Sequence, residues 1–301
     1  MPPIPEVLTV GETMALVVPA RAEPLESAVD FRVEPGGAES NVAAHLAALG
    51  RRAAWAGAVG DDPLGRRLLA QLDALGVDTA WARCDAAAPT GVYFKDPGDG
   101  VHYYRAGSAA SRLGADAVGG LPVAGARLLH LSGITPALSV RCDELVDALF
   151  DAAAAAGVPV SFDVNHRPAL WPSRAAAAER LLELARRARF VFVGRDEAEA
   201  LWATGTAESV RELLPEPAQL IVKDGAVGAT EFSDGAPAAH VPATPTTAVE
   251  VVGAGDAFAA GWIAAWLDDA DAEARLSAGH ARAVLTIAGT SDVPREERNE
   301  E

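Results

Sequence analysis

The segment Val252-Gly253-Ala254-Gly255-Asp256-Ala257-Phe258 runs directly into the apolar stretch 259–267. It sets a carboxylate at the mouth of a helix whose first turn is built from glycine. Gly253 and Gly255 let a ligand approach the main chain closely. The N–H groups of a first helical turn lack partners within the helix and carry the positive end of its dipole, so they favour an anion. A carboxylate among them is out of place if the site only binds. It makes sense if the anion is a transferring phosphoryl group and Asp256 takes the proton from the attacking hydroxyl. On this segment alone, an Asp256 that merely caps its helix explains the pattern as well.

Such a site needs a scaffold that gathers distant segments. Residues 7–10 read as a buried strand, 39–49 as a helix, 53–60 as a second strand and 64–75 as a helix ending before Gly76. Strands follow at 128–131, 158–163, 190–193 and 220–223, alternating with helices at about 140–156, 174–188 and 196–203. Short apolar runs alternating with amphipathic helices predict an α/β fold with a parallel sheet covered on both faces. Two stretches break the alternation. Residues 12–34 and 90–106 read as strands and turns, and are expected to form a small β-sheet lid at the strand ends. One domain is expected over 1–301, with a flexible tail over 295–301.

Composition narrows the function. The net charge of −17 argues against nucleic acid and anionic membranes as partners. Two cysteines, Cys84 and Cys142, without metal-like spacing, argue against a disulfide framework and make a cytoplasmic location the default. No apolar run reaches membrane-spanning length. Only Lys95 and Lys223 are lysines; the remaining basic residues are arginines, which fits a GC-rich genome.

Several motifs stand in one order. Gly36-Gly37-Ala38-Glu39-Ser40-Asn41 precedes a helix, and Gly60-Asp61-Asp62-Pro63-Leu64-Gly65 follows a strand. Asp163-Val164-Asn165-His166-Arg167 and Lys223-Asp224-Gly225-Ala226-Val227-Gly228 end later strands, and the glycine-rich Asp256 motif comes last. The series resembles the ribokinase-like (PfkB) carbohydrate kinases across nearly the whole chain. Tyr103-Tyr104-Arg105-Ala106-Gly107-Ser108, Leu129-His130-Leu131-Ser132-Gly133 and Arg167 followed by Leu170-Trp171 are most similar to 2-keto-3-deoxygluconate kinases.

The resemblance implies a central, mostly parallel sheet flanked by helices, with a β-sheet lid. It implies Asp256 as catalytic base and Gly253, Ala254 and Gly255 as the backbone anion hole. Gly36, Gly37 and Asn41 should line the sugar site; a glycine turn whose following helix is capped by Ser40 is the plainer account. Arg105 and Arg167 should pair with a substrate carboxylate in fork geometry, with Tyr93 and Tyr104 beside them. Asp292 should close the site from the C-terminal side, unless it is an exposed turn. Lys223, Gly225 and Gly228 should meet ATP, and Glu197 should organise magnesium and phosphates through water, unless it is an ordinary first-turn acid. The histidines His45, His130 and His166 are expected to be packed, and no protein metal cage is expected; Mg²⁺ would arrive with ATP.

Two departures stand out. Gly194 replaces the Asn or Ser that the family places three residues before Glu197, and Glu250 precedes the catalytic loop where Asp is common, so dependence on a monovalent cation is not inferred. The expected activity is ATP-dependent phosphorylation of 2-keto-3-deoxygluconate to its 6-phosphate, with a homo-oligomer expected. Kinases of fructose, ribose or 5-keto-2-deoxygluconate, and a non-catalytic sugar- or nucleotide-binding protein, are the alternatives. A nicotinamide dehydrogenase is disfavoured, because no Gly-x-Gly-x-x-Gly follows the first strand.

Overall fold

A computed structural model describes residues 4–21, 23–96, 99–246, 252–289 and 291–293. Glu250 and the tail 295–301 lie outside these described residues, so the expectations placed on them stay there.

In chain order the strands are β1 (Val7–Val10), β2 (Met14–Pro19), β3 (Phe31–Gly36), β4 (Ala53–Ala56), β5 (Ala58–Gly60), β6 (Arg83–Asp85), β7 (Val92–Asp96), β8 (Gly100–Tyr104), β9 (Leu128–Ser132), β10 (Val160–Asp163), β11 (Phe190–Gly194), β12 (Gln219–Asp224), β13 (Gly228–Ser233) and β14 (Ala239–Pro242). The α-helices are α1 (Ala38–Ala48), α2 (Pro63–Ala74), α3 (Val140–Ala156), α4 (Arg174–Arg187), α5 (Arg195–Trp202), α6 (Ala207–Leu213), α7 (Ala254–Leu267) and α8 (Ala272–Ile287).

Eight strands form the main sheet in the order β14-β13-β12-β11-β10-β9-β1-β4. From β4 to β12 the pairing is parallel, and β13 and β14 are antiparallel additions. Alternation along each strand divides the core into two. Leu8, Leu129, Phe162 and Val191 pack against Leu145, Leu149 and Leu181 of α3 and α4 on one face. Val7, Leu128, Phe190 and Phe192 meet Val42, Trp262 and Ile263 of α1 and α7 on the other. Both faces are buried, which is why these strands read as continuous apolar runs.

α7 is seated by one large residue. Trp262 packs against Phe190 and Phe192 at ring centroid distances of 5.4 and 5.3 Å, and its Nε1 donates to Glu231 Oε2 at 2.8 Å. Filling this slot fixes where the first turn of α7 ends up, and Asp256 with it.

The two segments that broke the alternation do build a second, four-stranded sheet, in the order β3-β2-β7-β8. Its inner face carries Met14, Leu16, Val18 and Tyr93 as a small apolar cluster of its own. One expectation is corrected: 53–60 is two strands, not one. A side chain at Gly57 would stand 2.2 Å from the Trp55 ring and 2.4 Å from the Gly11 carbonyl. The chain turns at that close approach, and β5 leaves the main sheet to pair with β6.

Candidate active site

The parallel strands end on a common edge, where ligands bind in open α/β sheets. β9 delivers Ser132, β10 Asp163, β11 Gly194 and β12 Lys223 to that edge. The four-stranded sheet overhangs it. Between the two lies a cavity of about 440 Å³, and a second cavity of about 670 Å³ adjoins it across Gly194, Lys223 and Gly255.

Asp256 stands in the first turn of α7 and lines the first cavity. Its carboxylate does not cap its own helix. Oδ2 instead accepts a hydrogen bond from Asn41 Nδ2 of α1 at 2.9 Å. Burial lifts its carboxyl to about 7; nearby Asp163 and Asp292 add to the rise, while the Asn41 bond and Arg167 oppose it. The capping account of Asp256 therefore gives way to a carboxylate turned toward the cavity, with a proton affinity suited to exchange near neutral pH. Gly253, the N-cap, sits at φ 86°, in the left-handed region, and an added Cβ would lie 3.2 Å from Asp292.

Gly36 and Gly37 also line this cavity. A Cβ on Gly36 would fall 1.9 Å from the Tyr93 hydroxyl, and one on Gly37 would fall 2.1 Å from the Glu12 carbonyl, so both steps require glycine for closeness. Ser40 is not the helix cap: it donates to Thr13 Oγ1 and to the Gly37 carbonyl, each at 3.0 Å.

Asp292 is buried rather than exposed. Its carboxylate takes the Lys95 ammonium at 2.7 Å and the Tyr93 hydroxyl at 3.0 Å. Arg105 is buried too, ion-paired with Glu12, with Nε unpartnered among the described residues; its guanidinium lies 5.4 Å from the Tyr103 ring centroid. Burial pushes Glu12 up to about 7 despite that pairing. Arg167 is exposed at the cavity wall, beyond a turn in which Asn165 takes φ 41°.

Tyr104 is a correction. Adjacent strand residues face opposite sides. Tyr103 stacks on Tyr93 at 5.6 Å and lines the cavity, while Tyr104 turns away to Phe94 and is 67% exposed.

The second cavity is lined by Gly225 and Gly228 with Ala254 and Gly255, and walled by Phe258, Val284 and Ile287. Lys223 stands at the junction, its Nζ 2.8 Å from Asp163 Oδ2. Burial works against its charge, but Asp163, Glu197 and Asp256 outweigh this and raise its affinity for the proton. Glu197 reaches back to the Gly194 N–H at 3.1 Å and also accepts from the His166 N–H. The Gly194 N–H is thus taken by Glu197, and no side chain stands where one was expected. His45 and His130 are buried, and burial lowers them to about 3 and about 4, so neither carries charge near neutrality.

The family model for pfkB family carbohydrate kinases matches residues 5–296. The chain belongs to this family and is a sugar kinase. This family member is 34% identical to 2-dehydro-3-deoxygluconokinase of Bacillus subtilis over 298 residues, covering 96% of this chain and 91% of the relative. It is also 33% identical to fructokinase-1 of Zea mays, over 84% of this chain and 80% of that one. A solved PfkB protein from Polaromonas sp. JS666 superposes with TM-score 0.87 at 36% identity, covering 95% and 96% of the two chains.

Glu12, Glu39, Lys95, Tyr103 and Asp163 are the site residues that sequence reasoning missed. Glu39 is fully buried, bonded to Ser132 Oγ at 2.7 Å and Thr135 Oγ1 at 2.8 Å. For Lys95 and Tyr103 a signal existed, since period-two alternation from Tyr93 puts Lys95 on the same face. For Glu12 and Glu39 the glycine motifs around them gave none. The one acidic–histidine group that could gather around an ion among the described residues, Asp96, Asp99 and His102, lies on β7, β8 and the turn between them and not at this site. No described helix is long and apolar enough to cross a membrane.

Proposed function

We propose that this kinase transfers the γ-phosphoryl group of ATP to the terminal hydroxyl of a 2-keto-3-deoxy sugar acid, 2-keto-3-deoxygluconate. The observation that carries the reading is that two guanidinium groups, Arg105 and Arg167, line the same cavity as Asp256. A neutral sugar has no use for them, whereas a carboxylate pairs with a guanidinium in fork geometry. The likeness to the Bacillus relative supports the same choice.

In this reading the sugar lies between the two sheets, its carboxylate toward the arginines and its terminal hydroxyl toward Asp256. The adenine and ribose occupy the second cavity, whose apolar walls suit a flat ring. Asp256 takes the hydroxyl proton as that oxygen bonds to the γ-phosphorus. The bond from the γ-phosphorus to the bridging β–γ oxygen breaks, ADP leaves, and Asp256 later returns its proton to water. The N–H groups around Gly253–Gly255 and the Lys223 ammonium stabilise the charge in transit.

Magnesium fits as a companion of the phosphates rather than as a protein-caged ion. Both Glu197 oxygens are held by backbone N–H groups and Asp163 is paired with Lys223, so their contact with an ion would pass through water. When bound, the ion neutralises phosphate oxygens and holds them in line. The four-stranded sheet serves as the lid that keeps water from competing for the phosphoryl group. Exposed Phe31 and Tyr104 on its outer face fit a homo-oligomer, which sedimentation of the wild type against Tyr104→Glu would check: an unchanged, monomeric wild type sinks that part.

The test is ADP release measured over 2-keto-3-deoxygluconate, its galactonate epimer, 5-keto-2-deoxygluconate, fructose and ribose. A desolvated charge pair is worth about 2–5 kcal/mol, so kcat/KM for the acid should exceed that for neutral sugars by roughly 30- to several-thousand-fold. Fructose turned over as efficiently as the acid would end the proposal.

A further inference from the structure

Lys95 stands one step back from the reacting groups, on the small sheet. Alternation along β7 puts Tyr93 and Lys95 on one face, and both are buried. The Lys95 ammonium lies 2.7 Å from Asp292 Oδ1, with those side chains only 5% and 3% exposed. The Tyr93 hydroxyl donates to Asp292 Oδ2 at 3.0 Å. Asn41 Nδ2 lies 3.5 Å from that same oxygen and 2.9 Å from Asp256 Oδ2. Two carboxylates thus converge on one amide nitrogen.

The main chain of Asp292 is fixed as well. Arg282 Nε donates to His45 Nδ1 at 2.9 Å, which leaves the ring proton on Nε2, and Nε2 donates to the Asp292 carbonyl at 3.1 Å. Asp292 therefore cannot swing away from Asp256 to relieve their repulsion. A buried carboxylate with no counter-charge is costly, and the Lys95 ammonium is the cation bonded to this one. Lys95 is not among the residues lining the sugar cavity, so its part is not contact with substrate.

We propose that Lys95 is a positioning residue for phosphoryl transfer: through Asp292 and Asn41 it ties the small sheet to Asp256 and offsets the Asp292 charge beside it. The inference rests on Asp256 being the base. Without Lys95, the Asp292 charge favours the protonated form of Asp256, which cannot accept a proton. Asp163 of β10, Arg167 beyond it, Lys223 of β12 and Tyr93 of β7 also face Asp256, and the first-turn N–H groups lie on its own helix. All of these stay constant across the variants below.

The experiment is the pH dependence of kcat, from about pH 5.5 to 9, for wild type, Lys95→Met, Lys95→Arg, Asp292→Asn and Lys95→Met/Asp292→Asn. Lys95→Met should move the acid limb up by about one pH unit, and Asp292→Asn should move it down. The double variant should return it to within about 0.3 unit of wild type, and Lys95→Arg should hold it there. An acid limb unmoved in a folded Lys95→Met overturns the proposal, as does a double variant whose limb coincides with that of either single variant. If Lys95→Met does not fold, the limb of the double variant must lie above that of Asp292→Asn, and coincidence of the two overturns it. Asp256→Asn separates the two readings. Wild-type kcat in that variant removes the base and this inference together, whereas an inactive Asp256→Asn with an unmoved Lys95→Met limb removes only the role of Lys95.

Discussion

Asn41 Nδ2 donates to Asp256 Oδ2 at 2.9 Å, from a residue 215 positions earlier in the chain. α1 and α7 share one face of the main sheet, and their packing there makes the bond. One oxygen of Asp256 is thereby oriented and the other is left to receive a proton. Asp256→Asn should keep the fold and bind ATP within about twofold of wild type, while kcat falls roughly 10²–10⁴-fold. Asn41→Ala should lose about tenfold in kcat, because the base remains but its orientation does not. Steady-state kinetics with nucleotide titration checks both, and a folded Asp256→Asn turning over normally would remove the base.

Activity and stability should run in opposite directions with pH. Asp256 must be ionised to accept a proton, so kcat should fall about tenfold per pH unit below its value of about 7. Its folded value is raised from 3.8, and that of Glu12 from 4.5 to about 7. Folding therefore binds protons more tightly than the unfolded chain does. The stability these two groups contribute is full below about pH 4 and is lost as pH rises through about 7. Tm should decline from pH 6 to 8, as kcat climbs, and Asp256→Asn should flatten part of that decline. Calorimetry across the pH range decides it; a Tm that climbs in step with kcat contradicts the raised values.

Much of the scaffold was legible because both faces of the main sheet are buried. Continuous runs such as Phe190-Val191-Phe192-Val193 admit few other readings. The break at Gly57 was not, since it depends on the Trp55 ring and the Gly11 carbonyl, a residue distant in sequence. At the site, glycine motifs pointed to Gly36, Gly37, Gly253 and Gly255 because backbone closeness leaves a local trace. The carboxylates Glu12 and Glu39 left none, as their partners Arg105, Ser132 and Thr135 come from over 90 residues away. Both lysines of the chain pair with aspartates at the site, Lys95 buried and Lys223 partly buried. The glycine motif had placed Lys223 there, whereas Lys95 was legible only through its alternation with Tyr93.

The facing of β8 gives a sharp contrast between neighbours. Tyr103 lines the cavity and stacks on Tyr93, while Tyr104 packs edge-on to Phe94 on the other side. Tyr103→Ala should raise KM for the sugar acid about tenfold, near the 0.5–1.5 kcal/mol of an aromatic pair together with lost contact. Tyr104→Ala should leave that KM within about twofold. Parallel kinetics on the two variants suffices, and the reverse pattern would mean that the facing of β8 is wrong.

Arg105 and Arg167 line the same cavity but stand in different surroundings, and that separates their variants. Arg105 is buried and paired with Glu12, so Arg105→Ala strands a carboxylate that burial already disfavours. It should lower Tm as well as raise KM for the sugar acid, by roughly 30-fold or more in KM if a desolvated pair worth about 2 kcal/mol is lost. Adding Glu12→Gln should recover Tm, since no buried charge then lacks a partner, but should leave KM high. Arg167 is exposed, and among the described residues its side chain donates to the neighbouring His166 carbonyl, at 3.3 Å. Arg167→Ala should therefore leave Tm near wild type and raise KM for the acid while KM for ATP stays put. Thermal melts and KM for both substrates across the three variants check this. If Arg167→Ala raised KM for ATP and sugar acid alike, Arg167 would belong to the phosphate side of the cavity instead.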